Sequence, residues 1–106
     1  MNEKTSMNLK ALEVVLLAKD EDTDILRFKF EDNPMDVNLN SPLCQTELKV
    51  VFVRLLQMLI ENDVHLEFSH TKEYSRGMYI EVCEEYVNDL NRELVSVKER
   101  IRKEME

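Results

Sequence analysis

Four extended and two helical patterns of apolar residues organise this chain. Between Lys10 and Lys19, Leu12, Val14, Leu16 and Ala18 share one face of an extended segment, while Ala11, Val15 and Leu17 join Glu13 on the other. That predicts a strand covered in part on both sides. An acidic turn, Asp20 to Asp24, follows. Leu26, Phe28 and Phe30 then alternate with Arg27, Lys29 and Glu31, which predicts a second strand with one wet face, paired to the first as a hairpin. Asp32-Asn33-Pro34-Met35 reads as a turn. Val37 and Leu39, alternating with Asp36, Asn38 and Asn40, read as a short third strand.

Ser41-Pro42 is a helix start signal: the serine oxygen can accept from an otherwise unpaired backbone N–H, and proline at the first helical position gives up no needed donor. Leu48, Phe52, Leu55 and Leu59 recur at helical spacing, and Leu43, Val51, Leu56 and Ile60 are expected to widen that stripe, so a largely buried helix is predicted from about Pro42 to Asn62. Val64, Leu66 and Phe68 alternate with His65, Glu67 and Ser69 as a further strand. From about residue 72 to 105 the pattern is helical again, with Gly77 as an interior breaker. The expected fold is α+β: a small antiparallel sheet of three or four strands, in the order β-β-(β)-α-β-α, packed on two helices. One domain spans residues 1–106, with the sheet and first helix over 9–69.

The last helix carries the most informative spacing. Ile80, Cys83, Val87, Leu90, Leu94, Val97 and Ile101 form a heptad seam, with Ile80, Val87, Leu94 and Ile101 at position a and Cys83, Leu90 and Val97 at d. A helix from Met78 to Met105 is about 40 Å long, more than the roughly 30 Å diameter of a small domain, so its last turns are expected to overhang the sheet. Leu94, Val97, Ile101 and Met105 would each forgo about 1.5–3 kcal/mol if left in water. Association costs about 4–15 kcal/mol, so the seam leaves room for a homodimer or a docked partner helix. In a parallel pair Glu93 would face Lys98 of the mate. Coverage of the whole seam by the chain's own sheet and first helix is the competing expectation.

Charge narrows the choice of partner. There are 22 acidic and 14 basic side chains, a formal net charge of −8, and only one glycine. Such a surface repels phosphate, and the Lys98, Arg100, Arg102 and Lys103 run is interrupted by Glu99 and Glu104 at the end of a helix whose dipole attracts cations, so direct nucleic-acid binding is not expected. A glycine-rich phosphate loop is excluded. No stretch of about 18 apolar residues is present, and no membrane span is predicted. Met1 to Asn8 is polar and lacks the apolar core of a secretory signal; with only Cys44 and Cys83, a reducing cytoplasm is the expected compartment.

Chemistry-bearing residues are few. Cys44 falls in the first turn of the first helix, where the dipole lowers a thiol pKa, but no base is placed beside it by spacing; Cys83 sits in the seam, where burial is expected. His65 and His70 match no zinc spacing, so neither metal nor cofactor is predicted. Tyr74, Tyr79 and Tyr86 rim the core or anchor an interface. Glu81, Glu85 and Asp89 form an i, i+4, i+8 row whose mutual repulsion costs a few tenths of a kcal/mol per pair. It reads either as a solubilising face or as a docking face for a basic partner. Together these residues suggest a non-catalytic acidic protein acting by protein–protein association, as an accessory subunit or stoichiometric inhibitor. The partner surface would be Glu81, Glu85 and Asp89, and the dimer or docking seam Val87, Leu90, Leu94, Val97 and Ile101. The alternative is an acidic nucleic-acid mimic that blocks a DNA- or RNA-processing enzyme, of the immunity, antitoxin or anti-defence type; a third reading is an enzyme using Cys44.

Overall fold

The structure, a computed structural model, describes residues 9–105. The polar start, Met1 to Asn8, lies outside them, as does Glu106. Strand β1 (Leu9–Asp20) and strand β2 (Thr23–Phe28) form the expected hairpin, with Leu16 opposite Leu26 and Val14 opposite Phe28. The turn between them is tight because Asp20 Oδ1 accepts the Asp22 N–H at 2.9 Å, which holds the Asp20 carboxyl below its ordinary pKa. Strand β3 (Met35–Asn38) pairs antiparallel with β2. Helix α1 (Cys44–Leu59) leads to β4 (Asp63–His70), and helix α2 (Gly77–Glu104) follows.

The α+β fold is as predicted, with one correction in the sheet. Its order is β3-β2-β1-β4, and β4 runs parallel to β1, with Leu12 opposite Leu66. The sheet is therefore mixed. Two successive antiparallel pairings make β3 run the same way as β1, and α1 carries the chain back from the end of β3 across the sheet to the start of β4, so β1 and β4 point the same way; alternation along β4 reports which face is buried but not which way the strand runs.

Leu12, Val14, Leu16, Leu26, Phe28, Val37, Val64 and Leu66 project from one face of the sheet into the core. Val51, Leu55 and Leu59 of α1 and Cys83, Val87, Leu90 and Leu94 of α2 close over them. The opposite sheet face carries Glu13, Val15, Leu17, Ile25 and Arg27, and the Arg27 guanidinium makes two bonds to Asp36 at 2.7 and 2.9 Å. That pairing lowers the Asp36 carboxyl pKa and raises that of Arg27.

Both sheet edges are closed by a helix side chain. At β4, Asn91 of α2 accepts the Leu66 N–H at 2.8 Å and donates to the Leu66 carbonyl at 3.0 Å. At β3, Glu47 of α1 accepts the Asn38 N–H at 3.2 Å. These bonds satisfy backbone groups that would otherwise template pairing with another strand.

Two helix starts differ from expectation. Ser41 Oγ accepts the Leu43 N–H at 3.0 Å and so closes a turn just ahead of α1; Leu43 occupies the cap position without a side-chain bond. Gly77 opens α2 instead of breaking it. The residues before it, Thr71 to Arg76, are held in a turn that starts with the Tyr74 N–H bonded to the Thr71 carbonyl at 3.0 Å.

Candidate interaction surfaces

The predicted seam on α2 packs inward. Val87, Leu90 and Leu94 lie in the chain's own core, while Val97 and Ile101 are half-buried. This corrects the expectation of a bare ridge along the helix. The buried line runs through Cys83, Val87, Leu90, Leu94 and Lys98, so it leaves the heptad positions after Leu94. A straight helix at 3.6 residues per turn drifts from a 3.5-residue repeat, and only a supercoiled mate corrects the drift. Lys98, expected to face a partner's Glu93, is 8% exposed instead, and its Nζ donates to the Leu59 carbonyl at 2.5 Å. That carbonyl belongs to the negative end of α1, whose last turn contains no basic residue of its own. The two helices run in the same direction, so Lys98 near the end of α2 reaches the end of α1.

The opposite end of the molecule holds the densest polar cluster. Asp24, expected in an exposed acidic turn, is fully buried in β2. Its carboxylate accepts from Tyr74 Oη at 2.8 Å, Arg76 Nη1 at 2.6 Å and Asn40 Nδ2 at 3.2 Å, and its N–H donates to Asn40 Oδ1 at 2.6 Å. Arg76 also donates to the Glu21 carbonyl. Burial, reinforced by the Asp24 carboxylate, pushes the Tyr74 phenol well above its ordinary pKa. Three chain segments are thereby tied at the entry to α2, with both oxygens of the buried carboxylate hydrogen-bonded. Such saturation describes a structural tie.

The thiols are displaced away from reactivity. Burial, followed by the nearby Glu47 charge, raises the half-buried Cys44 thiol, which overturns the lowering expected of a helix start. Burial raises Cys83 to about 11. His65 and His70 are exposed on β4, and among the described residues no group of three or more His, Cys, Asp or Glu is placed to hold a metal ion. Tyr74 is buried in the tie, while Tyr79 and Tyr86 are half-buried at the rim of the core. No helix among the described residues is long and apolar enough to cross a membrane.

Among the described residues, two patterned surfaces stand out, on α2 and on α1. Glu81, Glu85 and Asp89 are exposed on α2, as predicted, with Asp89 paired to Arg92 one turn on. The other surface lies on α1 and was not legible as an exposed one. Leu43 and Ile60, expected in the buried stripe, are 62% and 68% exposed; Val50 and Val53 between them are 49% and 52% exposed. A step of one residue turns a helix by about 100°, so Ile60 cannot share a face with Leu59. Together with Thr46 and Gln57, these four residues trace 43, 46, 50, 53, 57 and 60, the three-four spacing of a helix seam, and none of the six is charged. The signal was present in that spacing. Two polar members and the stronger leucine stripe behind it masked it.

No family model matches this chain, and neither a curated protein nor a solved structure is similar to it.

Proposed function

We propose that this chain is a non-catalytic binding protein that works by protein–protein association, with an acidic surface that selects a basic partner. The observation that carries this reading is the uncharged stripe on α1: in a chain with 34% charged residues, four large apolar side chains stand about half or more in water along one face, from the N-cap Leu43 to the C-cap Ile60. Keeping them there sacrifices hydrophobic stabilisation that a docked partner restores. The acidic row on α2 supplies the complementary ingredient, since a net charge of −8 raises the encounter rate with a cationic surface and disfavours acidic competitors.

Mimicry of a nucleic acid is the weaker reading. Arg92 neutralises Asp89, and Arg100 and Lys103 make the far half of α2 basic, so the continuous acidic run is limited to Glu81, Glu84 and Glu85. A duplex presents a charge every 1.7 Å or so over its whole length.

The test is quantitative affinity capture from the native host with the wild-type chain and with Glu81→Lys, Glu85→Lys and Asp89→Lys combined. A set of basic proteins retained by the wild type, released by salt and lost with the reversed row is the expected result. Identical capture by both chains would remove the charge-selection reading.

A further inference from the structure

The shape of the α1 stripe identifies what covers it. Read from Leu43 to Ile60 its members are apolar, polar, apolar, apolar, polar, apolar, a sequence that is the same in either direction. Laid antiparallel against a second copy, Leu43 meets Ile60, Thr46 meets Gln57, and Val50 meets Val53, so each apolar residue faces an apolar one and each polar residue a polar one. A two-fold axis between Val50 and Val53 generates every contact twice, which is the self-complementarity a closed dimer requires.

Flanking charges choose the direction. Glu47 and Arg54 border the stripe on the β3 side and Lys49 borders it on the other. In a parallel pair the flanking positions would bring Lys49 against Arg54 of the second copy, two like charges. The antiparallel pair instead sets Glu47 near Arg54 of the mate, and Lys49 near Leu56. Arg54 is already held rigid, with its guanidinium 4.1 Å from the Phe30 ring centre and bonded to Asp32 at 2.7 Å, so little side-chain freedom is lost when a carboxylate approaches. The Arg54 bond also lowers the pKa of the Asp32 carboxyl. The stripe is about 25 Å long from end to end, enough for three layers of facing side chains but small for an interface, which sets the strength in the weak, reversible range.

We infer that this chain forms a two-fold symmetric dimer in which α1 packs antiparallel on α1 of a second copy, through Leu43, Val50, Val53 and Ile60. The inference rests on the association reading and deepens it by naming one partner as the chain itself. It leaves the acidic row on α2 available to a second protein.

Sedimentation velocity over a concentration series tests it. The wild type is expected to shift from monomer toward dimer as concentration rises through about 10–500 µM, the range in which small interfaces dissociate. Val50→Glu with Val53→Glu is expected to raise the dissociation constant by roughly 30-fold or more. Val50→Thr with Val53→Thr keeps the side-chain shape and is expected to weaken the dimer with an unchanged circular dichroism spectrum. For direction, chains carrying Val50→Cys and Val53→Cys are mixed under mild oxidation and the cross-links mapped by mass spectrometry. Linkage between positions 50 and 53 should dominate. A wild type that stays monomeric throughout overturns the dimer but leaves the charge-selection test above untouched. A dimer indifferent to both double substitutions overturns the surface, and 50-to-50 linkage in excess overturns the antiparallel direction.

Discussion

The two helices of this protein carry the same kind of spacing and use it in opposite ways. On α2 the three-four repeat is turned toward the sheet, and the helix is further held by polar bonds at three levels: Arg76 and Tyr74 on Asp24 at its entry, Asn91 on Leu66 at its middle, and Lys98 on the Leu59 carbonyl near its end. On α1 the leucine stripe is turned inward and a second, weaker repeat faces water. The difference teaches that a heptad pattern reports a helix seam without reporting who occupies it. The sheet takes the stronger seam, and what is left over becomes surface.

Four changes would break or sharpen that contrast. Leu94 is fully buried beneath α2, so Leu94→Ala should lower unfolding stability by about 2–5 kcal/mol in guanidinium titrations. A loss of less than about 1 kcal/mol would show that α2 is not the helix the core depends on. Asn91→Ala should cost about 1–3 kcal/mol, because it strands a backbone donor and acceptor at the β4 edge, and it should accelerate amide exchange at Leu66. Unchanged exchange there would mean that the edge is protected by other means.

Tyr74→Phe removes one of three side-chain donors to a buried carboxylate and should cost about 1–2 kcal/mol at neutral pH. Its pH dependence has a definite sign. The folded state favours the neutral phenol, so the folded pKa lies above the unfolded value of about 10. Stability from this group is complete below about pH 10 and is lost as pH rises through the folded pKa. Cys83, raised by burial to about 11, acts in the same direction, with its loss beginning nearer pH 9. The wild type and Tyr74→Phe should therefore differ most at neutral pH and converge at strongly alkaline pH; a gap that stays constant would disconnect the tie from the titration. Smallest of all, Val53→Ala on the open face of α1 should change monomer stability by no more than about 0.5 kcal/mol at dilute concentration, against the large cost at Leu94. Equal costs at the two sites would erase the contrast between the helices.

Local pattern was enough for the elements themselves. Strict alternation marked β2 and β4, the Ser41-Pro42 signal fell within a turn of the α1 start, and the acidic residues of α2 stand in water where the spacing put them. The position of Asp24 was not readable, because an aspartate in an acidic run looks solvated until Tyr74 and Arg76, some fifty residues later, are brought onto it. The same holds for Lys98, whose carbonyl partner lies thirty-nine residues away on another helix.

Periodicity and polarity, both local properties of the chain, determined an acidic α+β protein with a long final helix and few reactive groups. Tertiary structure alone decided that β4 runs parallel to β1, that the α2 seam is spent on the chain's own sheet, and that α1 keeps an uncharged stripe toward solvent. The physical reason is that burial belongs to pairs of surfaces: a sequence lists the faces a helix offers, and only the packing of sheet against helix settles which face is used and which is left for a partner.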